Sequence, residues 1–441
     1  MILSSVLFLL LSKIHFANAF ASSRSLKDNG FQHRHASKKA TVVTLQSSSS
    51  NSSTSSTTDD DSSRSLPNVL CIGETLWDSL PSGIYLGGAP SNVAVHLAYL
   101  FNNAPTSSSD NEVENNKNRP TVAVAACLGK DQLGKEAQRR LALNGVRTDY
   151  VQYHPGWETG MATALLGSNG DATYEFNTPA AWDGLCLDSN LKHLLQQQQQ
   201  QQQQQEQTDG QEKKDHHHPV LFVMGTIAGR LHNNYGATSL STLMSVRNTA
   251  PEGTVILDIN LRSPWYKEET VLELARGGSS SSSSSEKEKK RKKLSLLKVN
   301  EEELAILEQW CGMDTNTDDL FGDALKMRME QLAQSLNTQR ICVTRGHLGA
   351  ALFCDNGTAA SSFYENPGYS LPNNQNNDSD TVGAGDAFLA SLINSLFIHG
   401  ETSDKALERA CALGGYVAGC RGATPAHSDA PDTLRNVFSI I

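Results

Sequence analysis

From residue 69 onward, short runs of β-type apolar residues alternate with longer stretches whose apolar residues recur every three or four positions. No other feature limits the fold as much. Apolar runs without alternation are strands buried on both faces, and helical stretches between them cover a parallel sheet on its two sides. The expected strands are residues 69–72, 121–126, 220–223, 254–258, 294–299 and 340–343. The expected helices are 91–100, 135–144, 236–248 and 320–335, with a further one after residue 383. Residues 165–176 read as a hairpin turned at Asn169-Gly170-Asp171. Open α/β sheets bind ligands where strands hand over to loops and helices, so the chemistry is sought at those junctions.

One junction carries most of the chemistry. Asp380 to Phe388 read Asp-Thr-Val-Gly-Ala-Gly-Asp-Ala-Phe, followed by apolar residues at helical spacing. Gly383, Ala384 and Gly385 let backbone N–H groups converge with no side chain in the way, at the positive end of a helix. Such an end suits a phosphate. Asp386 follows in the first turn, where it can accept a proton from a hydroxyl held beside that phosphate. An anion cradle beside a base suits phosphoryl transfer to an alcohol. A glycine-rich turn with Asp386 as a helix-start acid is the plainer alternative.

These residues resemble the signature of the ribokinase-like (PfkB) carbohydrate kinases, and other blocks follow in that family's order. They are Cys71-Ile-Gly-Glu-Thr-Leu-Trp-Asp78, Gly87-Gly-Ala-Pro-Ser-Asn-Val-Ala94, Leu128-Gly-Lys-Asp-Gln-Leu-Gly134 and Gly145-Val-Arg-Thr148. Thr159-Gly160, Ala181-Trp-Asp183, Gly225-Thr226, Asp258-Ile-Asn-Leu-Arg262, Asn300-Glu-Glu-Glu303 and Thr344-Arg-Gly346 complete the series. The resemblance spans roughly residues 67–441 and is nearest to fructokinases. It implies an α/β fold, a three-layer sandwich with a mostly parallel central sheet between helices, plus a small β-lid over the sugar. The short Asp78–Gly87 interval leaves the lid's size open.

The resemblance also implies roles. Asp386 is the base, with Gly383, Ala384 and Gly385 as the anion hole and Arg262 near the transferred phosphate. Asp78, Gly87, Gly88 and Asn92 hold the sugar; a carboxylate can accept from two adjacent hydroxyls, and glycines admit the backbone close to a ligand. Local readings compete: Asp78 as a strand-end turn acid, Asn92 as a cap, Arg262 in an ion pair. Asn300, Glu303, Thr344, Gly346 and Gly415 fall on the ATP side, with Arg345 in the segment expected along the phosphates. Glu303 would organise Mg²⁺ through water, since magnesium keeps most of its waters, while Asn300 to Glu303 also make a good helix start. Asp380 could lend a carbonyl to K⁺. Trp77 and Trp182 are expected to pack rather than bind.

Composition agrees with an enzyme carrying appendages. The 441 residues are only 38% hydrophobic, and polar tracts account for the deficit. A net charge of −10 argues against nucleic acid as a partner. Eight cysteines lack metal-ligand spacing and read as reduced thiols. Residues 1–21 read as a signal peptide, and residues 22–66 as a basic, Ser-rich, transit-like segment running into a linker. That order resembles presequences bound for secondary plastids, with ordinary secretion as the alternative; no membrane segment is expected in the mature form. Within the kinase domain, 67–441, inserts at 102–119, 196–218 and 277–293 lack an apolar period and read as solvated loops. The expected activity is ATP-dependent phosphorylation of a sugar, first D-fructose to fructose 6-phosphate. Another sugar, or a noncatalytic plastid interaction protein, is carried as the alternative, and a homodimer is left open.

Overall fold

Each expected strand forms, with ends shifted by one or two residues, in a computed structural model. It describes residues 65–80, 83–102, 119–166, 172–207, 219–231, 234–278, 291–313, 319–357, 361–369 and 381–439. Arg64–Ile441 is one compact unit. Residues 1–64, which hold the signal peptide and nearly all of the transit-like segment, the expected turn at 169–171, Asp380 and the three histidines 216–218 lie outside the described residues. In chain order the strands are β1 (Val69–Ile72), β2 (Leu76–Leu80), β3 (Gly83–Gly87), β4 (Val122–Ala125), β5 (Cys127–Gly129), β6 (Gln152–His154) and β7 (Gly160–Leu166). Then come β8 (Ala172–Phe176), β9 (Leu221–Gly225), β10 (Val255–Asp258), β11 (Leu296–Asn300), β12 (Arg340–Thr344), β13 (Ala350–Cys354) and β14 (Ser362–Asn366).

Eight of them form the central sheet in the order β14-β13-β12-β11-β10-β9-β1-β4. From β4 to β12 every pairing is parallel, and the β13–β14 hairpin closes one edge antiparallel. Alternate strand residues face opposite layers. Leu70, Ile72, Phe222, Leu257 and Leu297 meet one set of helices; Val69, Cys71, Val223, Ile256 and Leu296 meet the other. This is the expected three-layer sandwich. The lid is a four-stranded sheet, β3-β2-β7-β8, so the short Asp78–Gly87 interval suffices for an antiparallel pair. Among the described residues no helix is long and apolar enough to cross a membrane.

Three expectations need correction. The glutamine tract is not a loop through its first half: Ser189–Gln207 is helical. Glutamine is a good helix former, and buried Leu191, Leu194 and Leu195 anchor the helix start. Gln198 is itself buried and accepts the Val220 N–H at 2.8 Å. The C-terminal end of the lysine-rich insert is also ordered: Lys292 donates to the carbonyls of Thr249 and Ala250 at the end of helix Ser239–Thr249. Finally, that helix starts later than residue 236, because Tyr235 and Gly236 adopt positive φ (56° and 80°).

Candidate active site

At the C-terminal ends of β10 and β11, the lid, the sheet and the start of helix Ala384–Ile393 enclose a cleft of about 380 Å³. Asp78, Gly88, Asn92, Arg262, Asn300, Glu303, Thr344, Gly383, Gly385 and Asp386 all line it. A second hollow of about 480 Å³ lies on the other side of the same helix start. Ala384, Thr344, Gly346 and Gly415 line that one, along with Tyr369, Phe388 and Cys411. Thr344, Thr381 and Gly385 belong to both walls. Residues from distant parts of the chain thus converge as two adjoining chambers.

Gly383 sets the junction. It caps the helix with φ 78°, and a Cβ there would lie 2.5 Å from the Ala423 carbonyl oxygen. Only glycine fits both the dihedral and the space. Beyond it the Ala384 N–H makes only a long contact, 3.4 Å, with the Thr381 carbonyl, and the first N–H groups of a helix have no carbonyl one turn earlier. Asp386 accepts a hydrogen bond from Asn92 Nδ2 at 2.8 Å, joining helix Ala89–Asn102 to the start of helix Ala384–Ile393. Burial, with help from the Asp258 charge, pushes the Asp386 carboxyl up to about 7. The Asn92 hydrogen bond, Lys298 and Arg262 oppose that rise.

Around Asp386 stand groups to which the sequence patterns assigned no role. Lys298 is a lysine flanked in its strand by buried Leu296, Leu297 and Val299, and its ammonium contacts both Asp258 oxygens at 2.9 Å. Glu74 is buried beside the cleft; Oε1 accepts the Ala89 N–H at 3.1 Å while Oε2 has no partner. Burial pushes its carboxyl up to about 8, against the pull of backbone hydrogen bonds. Phe176 and Asn260 also line the cleft. A charged residue in the middle of an apolar run was the available signal for Lys298; for Phe176 no signal was present.

Other expected residues make structural contacts of their own. Gly87 is not in the cleft wall, but a Cβ there would lie 1.9 Å from Asp78 Oδ2, so the glycine makes room for that carboxylate. Asn300 and Glu303 form a reciprocal capping box. Glu303 Oε2 accepts the Asn300 N–H at 2.9 Å, and Oε1 accepts the Leu261 N–H at 2.7 Å. Glu303 therefore ties the loop carrying Arg262 to β11. Arg262 is exposed in the cleft wall and makes no ion pair with another described residue, so the ion-pair alternative is not what forms. Arg345 turns away from the cavities: its guanidinium is buried against Glu365, the Leu320 and Ala350 carbonyls and the Phe321 ring. Trp77 and Trp182 pack as expected, at 2% and 0% exposure. Each indole N–H has an acceptor, Leu133 O and Asp183 Oδ1 respectively.

Asp183 accepts from Arg230 Nη2 at 2.8 Å in a fully buried pair, and the Arg230 guanidinium lies over Trp182, Trp265 and Phe176. This cluster fixes the base of the lid strand that ends in Phe176. All eight cysteines are free thiols. Among the described residues no group of three or more His, Cys, Asp or Glu could hold a metal ion.

Comparisons with known proteins agree with this geometry. The chain is 25% identical over 392 residues to "Probable fructokinase-6, chloroplastic" of Arabidopsis thaliana, covering 83% of this chain and 81% of that protein. A fructokinase from Xylella fastidiosa with bound ATP superposes with a TM-score of 0.55 at 19% identity, over 82% of this chain and 96% of that one. A fructokinase from Vibrio cholerae in a fructose-, ADP- and calcium-bound form gives 0.53 at 19% identity, over 82% and 95%. The profile described as pfkB family carbohydrate kinase matches residues 83–205 and 279–430, more than half of the chain. The chain belongs to the pfkB family of carbohydrate kinases, phosphotransferases that act on a sugar hydroxyl.

Proposed function

We propose that the protein transfers the γ-phosphoryl group of ATP to the primary hydroxyl of D-fructose, giving fructose 6-phosphate and ADP. The observation that carries the reading is Asp386, hydrogen-bonded to Asn92 at the point where the two chambers adjoin. The sugar occupies the polar cleft under the lid, against Asp78, Gly88 and Asn92, with Arg262 at its wall. The nucleotide occupies the second hollow, whose Tyr369, Phe388 and Gly415 walls suit an adenine. Asp386 takes the hydroxyl proton as the sugar oxygen bonds to the γ-phosphorus. The bond from that phosphorus to the β,γ-bridging oxygen breaks, and its electron pair leaves with ADP. The Ala384, Gly385 and Asp386 N–H groups face the charge on the phosphoryl oxygens. Preorganised donors of this kind contribute about 3 kcal/mol each. A carboxyl raised to about 7 is matched to its task, since it is half ionised at neutral pH and basic enough to accept a proton.

Mg²⁺ accompanies ATP in this reading and supplies charge neutralisation on the phosphates. The residues fit a magnesium ion that keeps its waters and rides on the nucleotide, not one held in a protein cage. Glu303 would hold it through water, a modest part given that both oxygens already accept backbone N–H groups. Fructose is favoured over other sugars by the blocks at 77–78, 87–90, 181–183 and 260–262, and by the names of the relatives. The transit-like presequence and the chloroplastic relative favour a plastid location.

The test is ADP release from Mg²⁺-ATP with fructose, ribose, glucose, mannose, adenosine and keto-deoxygluconate, with Asp386→Asn in parallel. Fructose turnover that the variant abolishes supports the reading. Turnover on another sugar keeps the mechanism and moves the substrate. A folded, ATP-binding protein that phosphorylates nothing favours a noncatalytic role instead.

A further inference from the structure

We infer that Lys298 is the fixed cation of the phosphoryl site, held by Asp258 beneath Gly385 so that its charge meets the oxygens of the group in transfer. This rests on the kinase reading above, and nothing in the signature blocks marks the residue.

The placement follows from strand register. β10 and β11 run parallel with Asp258 opposite Lys298, so both side chains leave the same face of the sheet. That face is covered by helix Ala384–Ile393, because the neighbouring residues Ile256 and Leu296 pack with Leu389 and Leu392 of that helix. The pair therefore sits at the strand ends, directly under the start of the helix. A Cβ built on Gly385 would stand 3.2 Å from Lys298 Nζ. The ammonium is thus just below the backbone that forms the cradle, and it lines the cleft together with Gly385 and Asp386.

Charge arithmetic shows why a cation is needed there. Asp258, Glu303 and Asp386 surround the spot, and Arg262, at the exposed wall, is the other cation lining the cleft among the described residues. A triphosphate carrying several negative charges would otherwise approach a cluster of carboxyl groups. Burial opposes the Lys298 charge, yet Asp258, Glu303 and Asp386 hold the amine protonated, with its affinity for the proton raised. Two ammonium hydrogens suffice for the two Asp258 oxygens, which leaves a third without a partner among the described residues. The competing account is that Lys298 merely neutralises Asp258. Buried ion pairs of that purely structural kind can be replaced by uncharged residues at little cost.

The two accounts separate in a double-mutant comparison of Lys298→Met, Asp258→Asn and the double variant, measured on purified protein with melting curves for each. Expected for Lys298→Met is a kcat loss of about 100-fold or more, the scale of one preorganised charge-stabilising group. Sugar KM should stay within about threefold, as the lesion lies on the phosphoryl side. ADP alone should still bind, while aluminium fluoride, which mimics the phosphoryl group in flight, should no longer tighten its binding. The double variant leaves no unpaired buried charge, so it reports even if the single lysine variant fails to fold. A double variant that melts like wild type but stays 100-fold slow supports the inference. Recovery to within tenfold of wild-type kcat overturns it and leaves Lys298 as the counter-ion of Asp258. Failure of the kinase reading would show differently, as absence of turnover in the wild type on every sugar.

Discussion

Replacing Asp386 with asparagine should stabilise the ligand-free protein while abolishing its activity. The carboxyl rises from 3.8 to about 7 on folding. The unfolded chain therefore releases this proton near pH 4 and the folded chain near pH 7. Between those values folding takes up a proton, so the native state loses stability as pH climbs, and the full penalty applies above pH 7. About three pH units at about 1.4 kcal/mol each gives roughly 4 kcal/mol as the ceiling. Asp386 keeps partial contact with solvent through the cleft, which screens the charge, so about 2–3 kcal/mol is the working figure. For a domain of this size that corresponds to a rise in Tm of about 2–5 °C for Asp386→Asn at pH 8. At pH 5 the advantage should shrink to about a third, because most of the proton uptake lies above that pH. Scanning calorimetry of both proteins at the two pH values, without ligands, measures this directly. Sugar phosphorylation should fall by about 10²–10⁴ in the same variant. The reasoning fails if the asparagine variant melts at or below wild type at pH 8, or if its advantage is the same at both pH values.

The same carboxyl should set the acid limb of the kcat/KM profile near pH 7, with activity rising as it ionises. Asn92→Ala removes a hydrogen bond that lowers Asp386, so that limb should move to higher pH by up to about one unit, read from a pH series. Gly383→Ala combines a positive φ, costing about 1–2 kcal/mol, with a 2.5 Å approach to the Ala423 carbonyl. Turnover should drop at least about tenfold, since a small misplacement of the cradle is costly, and a wild-type rate would refute the role of that turn. Arg230→Met leaves Asp183 buried and unpaired and should destabilise by about 3–5 kcal/mol in urea unfolding. Adding Asp183→Asn should return part of that loss.

How much of this was legible in the sequence depended on whether a residue's neighbours along the chain explain it. The strands at 69–72, 254–258 and 340–343 were legible because burial on both faces leaves an unbroken apolar run. The cradle was legible because Gly383 and Asp386 lie within one turn of each other. The partner of Asp386 is 294 residues away in the sequence, and no local pattern announces that hydrogen bond. Lys298 was passed over for a related reason: its meaning comes from Asp258 on the next strand and from Gly385 above it. The glutamine helix escaped because its stability comes from Leu191, Leu194 and Leu195 before the tract and from Val220 after it. Arg345 shows the opposite error, where a residue in a recognised segment points away from the chambers into its own set of acceptors.

The shared wall between the chambers has a kinetic consequence. Thr344, Thr381 and Gly385 border both hollows, so a donor in one and an acceptor in the other would sit with nothing but the cradle between them. There is then no need for the enzyme to carry the phosphoryl group on its own side chain. Initial-velocity plots against the two substrates should intersect rather than run parallel. Label should not exchange between ADP and ATP when sugar is absent. A chiral γ-phosphate should emerge with its configuration inverted, the mark of a single displacement in line.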